Sequence, residues 1–184
     1  SITYAQTLAY ARGIGEALLQ RRLCAERPVV ILSGSDLEHA MLGMACVYAG
    51  IAYAPISPAY SLVSTDFGKL RHIFELLTPG FVFASDGNAF GRAIAAVVSP
   101  DVEVAVTRNP VAGRKTILFQ ELADTVPPAA VEAANRAAGP DTITKFLFTS
   151  GSTGQPKAVI NTQRMWCSNQ QMIAQALAYF QDEP

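Results

Sequence analysis

Short apolar runs rich in β-branched and aromatic residues alternate with helical patterns along most of this chain. The run at 28–32 precedes a helix that Asp36 can cap and Gly50 can end, and a second strand is expected at 51–54. The run at 81–84 precedes another helical pattern. Because parallel strands are joined by crossover helices, this alternation predicts an α/β fold with a mostly parallel sheet flanked by helices.

The composition excludes several classes of protein. The chain has 184 residues, of which 50% are hydrophobic, enough to bury a core as one domain or as one lobe of a larger one. The formal net charge of −1 provides no electrostatic basis for binding nucleic acid or an anionic membrane. The uncharged stretch at 40–65 is interrupted by glycines and prolines, and its apolar part is shorter than the roughly 20 residues of a membrane span.

The three cysteines, Cys24, Cys46 and Cys167, lie far apart in the sequence. Neither His39 nor His72 stands near a cysteine in a metal-ligand spacing, so no metal site is predicted from these residues. We therefore expect reduced cysteines in the core of a cytoplasmic protein. The two histidines are expected on helix surfaces.

A second feature is a loop of small residues after the β-rich run at 143–148, which we call the signature loop. It contains four hydroxyl residues and two glycines before a single lysine. Glycine allows backbone N–H groups to converge on an anion, the hydroxyls add donors, and the lysine adds positive charge, so the loop suits a polyphosphate. The candidate binding residues are Thr149, Ser150, Gly151, Ser152, Thr153, Gly154 and Lys157.

The signature loop differs from a Walker A phosphate loop, in which glycine and lysine are adjacent and a helix follows. Here Pro156 precedes Lys157, and the run at 158–160 predicts a strand, so the loop is expected to join two strands. This spacing argues against a P-loop kinase or ATPase, which stays an alternative. By composition alone, a Ser/Thr/Gly-rich run is also typical of a flexible connection without a ligand.

The order of residues from Thr149 to Lys157 resembles the signature of the AMP-forming adenylating superfamily, which includes acyl-CoA synthetases, luciferases and peptide-synthetase adenylation domains. The superfamily pattern is Ser/Thr-Ser/Gly-Gly-Ser/Thr-Thr-Gly-x-Pro-Lys, and every defined position is matched. Ala158 stands where glycine is usual. The resemblance implies a loop that binds the β and γ phosphates of ATP while a carboxylate attacks the α phosphorus, which yields an acyl-adenylate and pyrophosphate.

Other segments resemble one subgroup, the feruloyl-CoA synthases. They are residues 57–64, 66–73 and 161–170. A further segment, residues 49–58, resembles a second motif of the whole superfamily, whose role is chiefly structural. This resemblance implies an acid–thiol ligase for ferulate or a related hydroxycinnamate, active in phenylpropanoid degradation. The implied cofactors are ATP, Mg²⁺ and coenzyme A, and the implied partners are small molecules rather than nucleic acid or membrane.

By the same resemblance, residues 1–184 form a partial N-terminal, AMP-binding domain. The acyl-pocket, adenine-binding and C-terminal domain segments of the superfamily are not found in this sequence, so no catalytic residue is assigned and the chain alone is expected to be inactive. A sheet edge and apolar helix faces left uncovered would favour self-association. A non-catalytic nucleotide-binding or scaffold module is a further alternative.

Two other segments have structural interpretations. Residues 33–35 form either a tight turn or an anion site at the N-terminus of the following helix. In the last helix, Met165, Met172 and Ile173 share one face, which is expected to pack into a core.

Overall fold

β1 (Val29–Leu32) lies in the middle of a seven-stranded sheet. The computed structural model describes residues 2–126, 130–149 and 154–177. The other strands are β2 (Tyr53–Pro55), β3 (Phe81–Asp86), β4 (Glu103–Arg108), β5 (Thr116–Leu118), β6 (Ile143–Thr149) and β7 (Lys157–Thr162). Their order in the sheet is β5-β4-β3-β1-β2-β6-β7. Neighbouring strands are parallel except β6 and β7, which are antiparallel. The predicted α/β class and mostly parallel sheet are therefore confirmed.

Helices pack against both faces of this sheet. They are α1 (Tyr4–Leu19), α2 (Leu37–Ala49), α3 (Ala59–Leu62), α4 (Gly68–Leu77), α5 (Gly87–Val97), α6 (Phe119–Ala123), α7 (Ala130–Ala137) and α8 (Gln163–Ala176). Val29 and Ile31 join one buried cluster with α1 and α2, while Val30 and Leu32 join another with α4 and α5, because successive strand side chains point to opposite faces. Within the described ranges, none of these helices has the length and apolar character to span a bilayer.

The ends of α2 lie where the sequence predicts them. The Asp36 side chain accepts a hydrogen bond from a backbone N–H of the first turn, and Gly50 adopts a φ of 68° after the last turn. The Ile51 N–H then donates to the Cys46 carbonyl oxygen at 2.9 Å, which completes a Schellman cap. Because the cap uses Ile51, β2 starts two residues later than the predicted strand at 51–54.

Only one of the three cysteines lies in the core. Cys46 on α2 is buried, and this burial raises the pKa of its thiol. Cys24 and Cys167 are exposed, so the core prediction is wrong for both. Cys24 follows the end of α1, and Cys167 belongs to α8, which has no buried residue. All three cysteines are free thiols.

Asp86 joins β3, β4 and α5. Its Oδ1 accepts hydrogen bonds from two backbone N–H groups in the first turn of α5, at 2.9 and 3.2 Å. Its Oδ2 accepts a bond from Arg108 Nε at 2.9 Å and one from the Asn109 side-chain amide at 3.2 Å. The Arg108 guanidinium, followed by Asn109 and the α5 N–H groups, lowers the pKa of Asp86 to about 2. The carboxylate thus acts in its charged form as both helix cap and ion-pair partner.

Removing the charge of Asp86 is expected to change how stability depends on pH. Because the folded-state pKa of about 2 lies below the unfolded value, the carboxylate's contribution to the free energy of unfolding is complete above about pH 4 and is lost as the pH falls through the folded-state pKa. Asp86→Asn keeps a capping side chain but no charge. In urea unfolding, this variant should be less stable than the wild type at about pH 6, and the difference should shrink by about pH 3.

The matched control for this prediction is Asp141→Asn. Among the described residues, the Asp141 side chain pairs only with Arg164, in an exposed ion pair at 3.2 Å, so its substitution should change stability little at any pH. An Asp86→Asn effect of equal size at both pH values would contradict the charge-based account.

The predicted core packing of α8 is wrong for this chain. Met165 and Met172 are 57% and 65% exposed, and α8 has no buried residue. α8 follows β7, which is the last strand of the sheet, and Val159 and Ile160 of β7 are about half exposed. No other described element covers the apolar face of α8, which is why its helical pattern does not become core. We call the exposed apolar side chains of β7 and α8 the edge surface, which consists of Val159, Ile160, Met165, Met172 and Ile173.

Candidate functional site

The two ends of the signature loop lie side by side. Thr149 ends β6, Lys157 begins β7, and the two residues are cross-strand partners. The Thr149 hydroxyl donates a hydrogen bond to the Lys157 carbonyl oxygen at 3.5 Å. The predicted strand–loop–strand arrangement is therefore confirmed. A Walker A loop would be followed directly by a helix, whereas here β7 intervenes before α8.

Four of the seven candidate residues lie outside the described residues, and their part in anion binding stays a prediction. These are Ser150, Gly151, Ser152 and Thr153. The other three, Thr149, Gly154 and Lys157, are brought together at one end of the β6–β7 pair.

The signature loop lies at the C-terminal edge of the parallel strands. β6 runs parallel to β2, with Lys145 beside Tyr53, and β2 runs parallel to β1. The C-terminal ends of these three strands therefore meet at one edge, where the loop leaves β6. In open parallel sheets, ligands bind in crevices outside the C-terminal ends of the strands. The loop thus occupies the position of a ligand site in this class of fold.

Gly154 and Lys157 have the properties that anion binding requires. Gly154 adopts a φ of +90°, which L side chains rarely adopt, and a Cβ there would meet no atom of a described residue within 4 Å. The backbone conformation therefore favours glycine at this position. Lys157 is exposed, and no carboxylate of a described residue pairs with its ammonium. Its positive charge is available to a ligand.

A cavity of about 410 Å³ lies beside the described end of the signature loop. Gly154 and Gln155 line one side, and α3 and the start of α4 supply other walls, which include Tyr60 and Lys69. The Lys69 ammonium lies 5.6 Å from the centre of the Tyr60 ring. Lys69 and Tyr60 could not be assigned to this site from the sequence, because they are distant from the loop along the chain and belong to no shared motif with it.

The acidic side chain in this cavity is already engaged. Asp66 accepts hydrogen bonds from the Gly68 N–H at 3.1 Å and from the Ser64 hydroxyl at 3.0 Å, and these bonds lower its pKa. The described residues contain no group of three or more His, Cys, Asp or Glu side chains arranged to hold a metal ion. Among the described residues, Lys69 is the cation that lines this cavity, and Lys157 lies at the exit of the signature loop.

The structure favours a tight turn for residues 33–35. Ser33 is buried, and its Oγ lies 2.9 Å from Nδ1 of His39 and 3.2 Å from the Gly34 carbonyl oxygen. These neighbours satisfy the Ser33 hydroxyl without a ligand. His39 belongs to α2, and its ring is half-buried because it contacts this turn.

A second cavity, of about 480 Å³, runs along α2 and is lined by His39, Tyr53 and Trp166 among others. Burial raises the pKa of Tyr53 to about 12, so the phenol stays protonated at neutral pH. The Lys145 ammonium lies 4.0 Å from the centre of the Trp166 ring, and burial lowers the pKa of Lys145. The described residues of the signature loop do not line this cavity.

Comparison with known sequences agrees with this geometry. The family model described as AMP-binding enzyme matches residues 1–183. The D-alanine--D-alanyl carrier protein ligase of Lactiplantibacillus plantarum is 27% identical over 157 residues, which represent 85% of this chain and 26% of that protein.

Solved structures share the fold. ATP-bound MatB from Rhodopseudomonas palustris has a TM-score of 0.69 at 23% identity, over 95% of this chain and 32% of that one. A benzoate CoA ligase from Burkholderia xenovorans LB400 has a TM-score of 0.72 at 21% identity, over 97% of this chain and 32% of that one. This chain therefore spans about a quarter to a third of the length of these relatives.

Proposed function

Because the chain belongs to the AMP-binding enzyme family, we propose that it is the N-terminal part of an ATP-dependent, AMP-forming acyl-CoA synthetase. The observation that carries this proposal is the β6–loop–β7 unit, with Gly154 at positive φ and the exposed Lys157 at its exit. In the proposed reaction, a carboxylate oxygen bonds to the α phosphorus of ATP and the bond to the pyrophosphate oxygen breaks. The thiolate of coenzyme A then attacks the acyl carbon, and AMP leaves.

The proposed role of the signature loop is to hold the departing pyrophosphate. The backbone N–H groups of 150–154 bind the β and γ phosphates, and the hydroxyls of Ser150, Ser152 and Thr153 are further donors. Lys157 neutralises charge on the leaving group, and Thr149 fixes the loop to β7. Donors held where negative charge develops usually provide the largest single contribution to such a transfer.

Mg²⁺ and coenzyme A complete the proposed set of cofactors. Mg²⁺, which binds through carboxylates and substrate phosphates, would neutralise charge on ATP. The described residues contain no group of three or more His, Cys, Asp or Glu side chains that could hold it, and we propose that its protein ligand belongs to the rest of the enzyme. Residues 1–184 are the partial N-terminal domain, and the acyl-pocket, adenine-binding and C-terminal segments belong to the rest of the enzyme. The need for ATP and coenzyme A supports a cytoplasmic location.

The proposed acyl substrate is ferulate or a related hydroxycinnamate, which would connect the enzyme with phenylpropanoid degradation. The support is the resemblance of 57–64, 66–73 and 161–170 to feruloyl-CoA synthases, together with a fold shared with a benzoate CoA ligase. The Lactiplantibacillus relative is a ligase for D-alanine, so amino acids are the competing substrate class.

The full-length gene product provides the test. With ATP, ferulate and labelled pyrophosphate, it should transfer label into ATP only when the carboxylate is present, and it should release AMP when coenzyme A is added. ADP as the product would replace this proposal with a kinase or ATPase. Nucleotide binding without exchange, for any acid tried, would favour the non-catalytic module. The same exchange assay with benzoate or D-alanine in place of ferulate determines which class of acid the enzyme activates.

Self-association of the 184-residue chain through the edge surface is also proposed. β7 carries unpaired backbone groups at the sheet edge, next to exposed Val159 and Met172. Strand edges and apolar patches of this kind favour pairing with another chain. Sedimentation equilibrium is expected to detect species larger than a monomer, and Val159→Lys combined with Met172→Lys should shift the population toward monomer. Val126→Lys, at a more exposed valine outside this surface, should not shift the population. A monomeric wild type would contradict the proposal.

A further inference from the structure

We propose that Lys69, with Tyr60 beside it, forms a second phosphate-binding position in the cavity next to the signature loop. This inference rests on the proposed function, because it extends the anion site of the same loop. The ligand group is a phosphate, which belongs either to the polyphosphate of ATP or to coenzyme A.

One cavity brings Lys69 and the signature loop together. Lys69 and Tyr60 line it from α4 and α3, and Gly154 and Gln155 line it from the loop. Its volume of about 410 Å³ falls within the range of roughly 300–1,000 Å³ that is typical of small-molecule sites. A ligand that contacts the described end of the loop can therefore also reach the Lys69 ammonium.

Buried neighbours hold the backbone around Lys69. Phe67 directly precedes α4 with a φ of 55°, its ring is buried, and its N–H donates to Ser64 Oγ at 3.1 Å. Leu70, the next residue along α4, is fully buried. Because Phe67 and Leu70 are fixed in the core, the start of α4 is a rigid platform that presents Lys69 to the cavity.

The Lys69 ammonium has no competing ion pair among the described residues. The Lys69 ammonium lies 5.6 Å from the centre of the Tyr60 ring, which favours a cation without neutralising it. Asp66 lines the same cavity, but its carboxylate is engaged by Ser64 and Gly68.

Lys69 and Asp66 both line this cavity, and the sum of their charges limits how strongly the cavity attracts a phosphate. The described side chains that line this cavity include one cation and one carboxylate and so carry no net charge, which means that Lys69 does not concentrate phosphate by itself. A phosphate that also contacts the signature loop gains the Lys69 interaction in addition. The contributions of Lys69 and Lys157 are therefore expected to depend on each other rather than to add.

Calorimetric titration of the full-length gene product with pyrophosphate, and separately with coenzyme A, tests this inference. Lys69→Ala should weaken the binding of one of these ligands about three- to tenfold, and Lys69→Arg should bind it nearly as tightly as the wild type. Arg71→Ala is the matched control, because Arg71 belongs to the same helix but lines a different cavity. A loss for pyrophosphate identifies the ATP phosphates as the source, and a loss confined to coenzyme A identifies the thiol substrate.

The outcomes separate this inference from the proposed function. If Lys157→Ala weakens pyrophosphate binding and Lys69→Ala changes neither ligand, only the second position is overturned. If Lys69→Ala weakens binding and Lys157→Ala does not, the second position stands and the role of Lys157 fails. If the wild type binds neither ligand, both the second position and the proposed function are overturned.

The thermal midpoints of the wild type and Lys69→Ala are expected to be equal, since Lys69 is exposed. A lower midpoint that Lys69→Arg does not restore would assign Lys69 to stability instead.

Discussion

Lys157→Ala is expected to slow carboxylate-dependent pyrophosphate exchange by the full-length gene product about ten- to a hundredfold. Lys157, at the exit of the signature loop, is exposed, and no carboxylate of a described residue pairs with its ammonium. The ammonium is therefore available to pyrophosphate. A charge-assisted hydrogen bond contributes roughly 1.5–3 kcal/mol, which corresponds to that range of rates. The effect should appear in kcat as well as in KM, because charge on pyrophosphate develops in the transition state.

Two substitutions control for charge and for surface position. Lys157→Arg keeps the positive charge and should retain more exchange activity than Lys157→Ala, although a guanidinium does not reproduce the ammonium geometry. Lys115→Ala removes an equally exposed lysine beside β5 and should leave exchange unchanged. Exchange by Lys157→Ala at the wild-type rate would remove Lys157 from the mechanism.

Gly87→Ala is expected to lower the free energy of unfolding by at least about 3 kcal/mol. A Cβ at Gly87 would overlap the carbonyl oxygen of Asn109 and lie 2.8 Å from both Pro110 C and Val111 N. All of these are backbone atoms, so no side-chain rotation can relieve the overlap. The loop after β4 would have to move away from α5, which would also disturb the Asp86 contacts with that loop. For a chain of this size, the midpoint of thermal unfolding should fall by about 6–12 °C.

Gly91→Ala is the matched control, since Gly91 lies one turn further along α5. The nearest atom to a Cβ there is Val111 Cγ1 at 3.9 Å, an ordinary contact. Alanine in a helix interior is more favourable than glycine, so Gly91→Ala should raise the free energy of unfolding by about 0.5–1 kcal/mol. Differential scanning calorimetry of both variants checks the pair. Similar midpoints of thermal unfolding for Gly87→Ala and Gly91→Ala would show that the loop after β4 can move away from α5 at little cost in free energy.

Local sequence determined the class of fold, most of its elements and the signature loop. Asp36 and Gly50 could be identified as the ends of α2 because a helix cap acts through hydrogen bonds to residues only a few positions away. The signature loop could be found for the same reason, since its glycines, hydroxyls and lysine are consecutive. The two-residue shift at the start of β2 came from a cap that extends one residue beyond Gly50.

Only the tertiary structure decided which distant residues meet and which apolar faces are covered. Lys69 and Tyr60 line the same cavity as Gly154 and Gln155 because the fold brings α3 and α4 near the described end of the signature loop, and no local pattern records that proximity. Met165 and Met172 have the helical spacing of core residues, yet they are exposed because no described element covers α8. A periodic apolar pattern determines that a helix can bury one face, whereas burial itself requires a second surface, supplied by residues elsewhere in the chain or by another molecule.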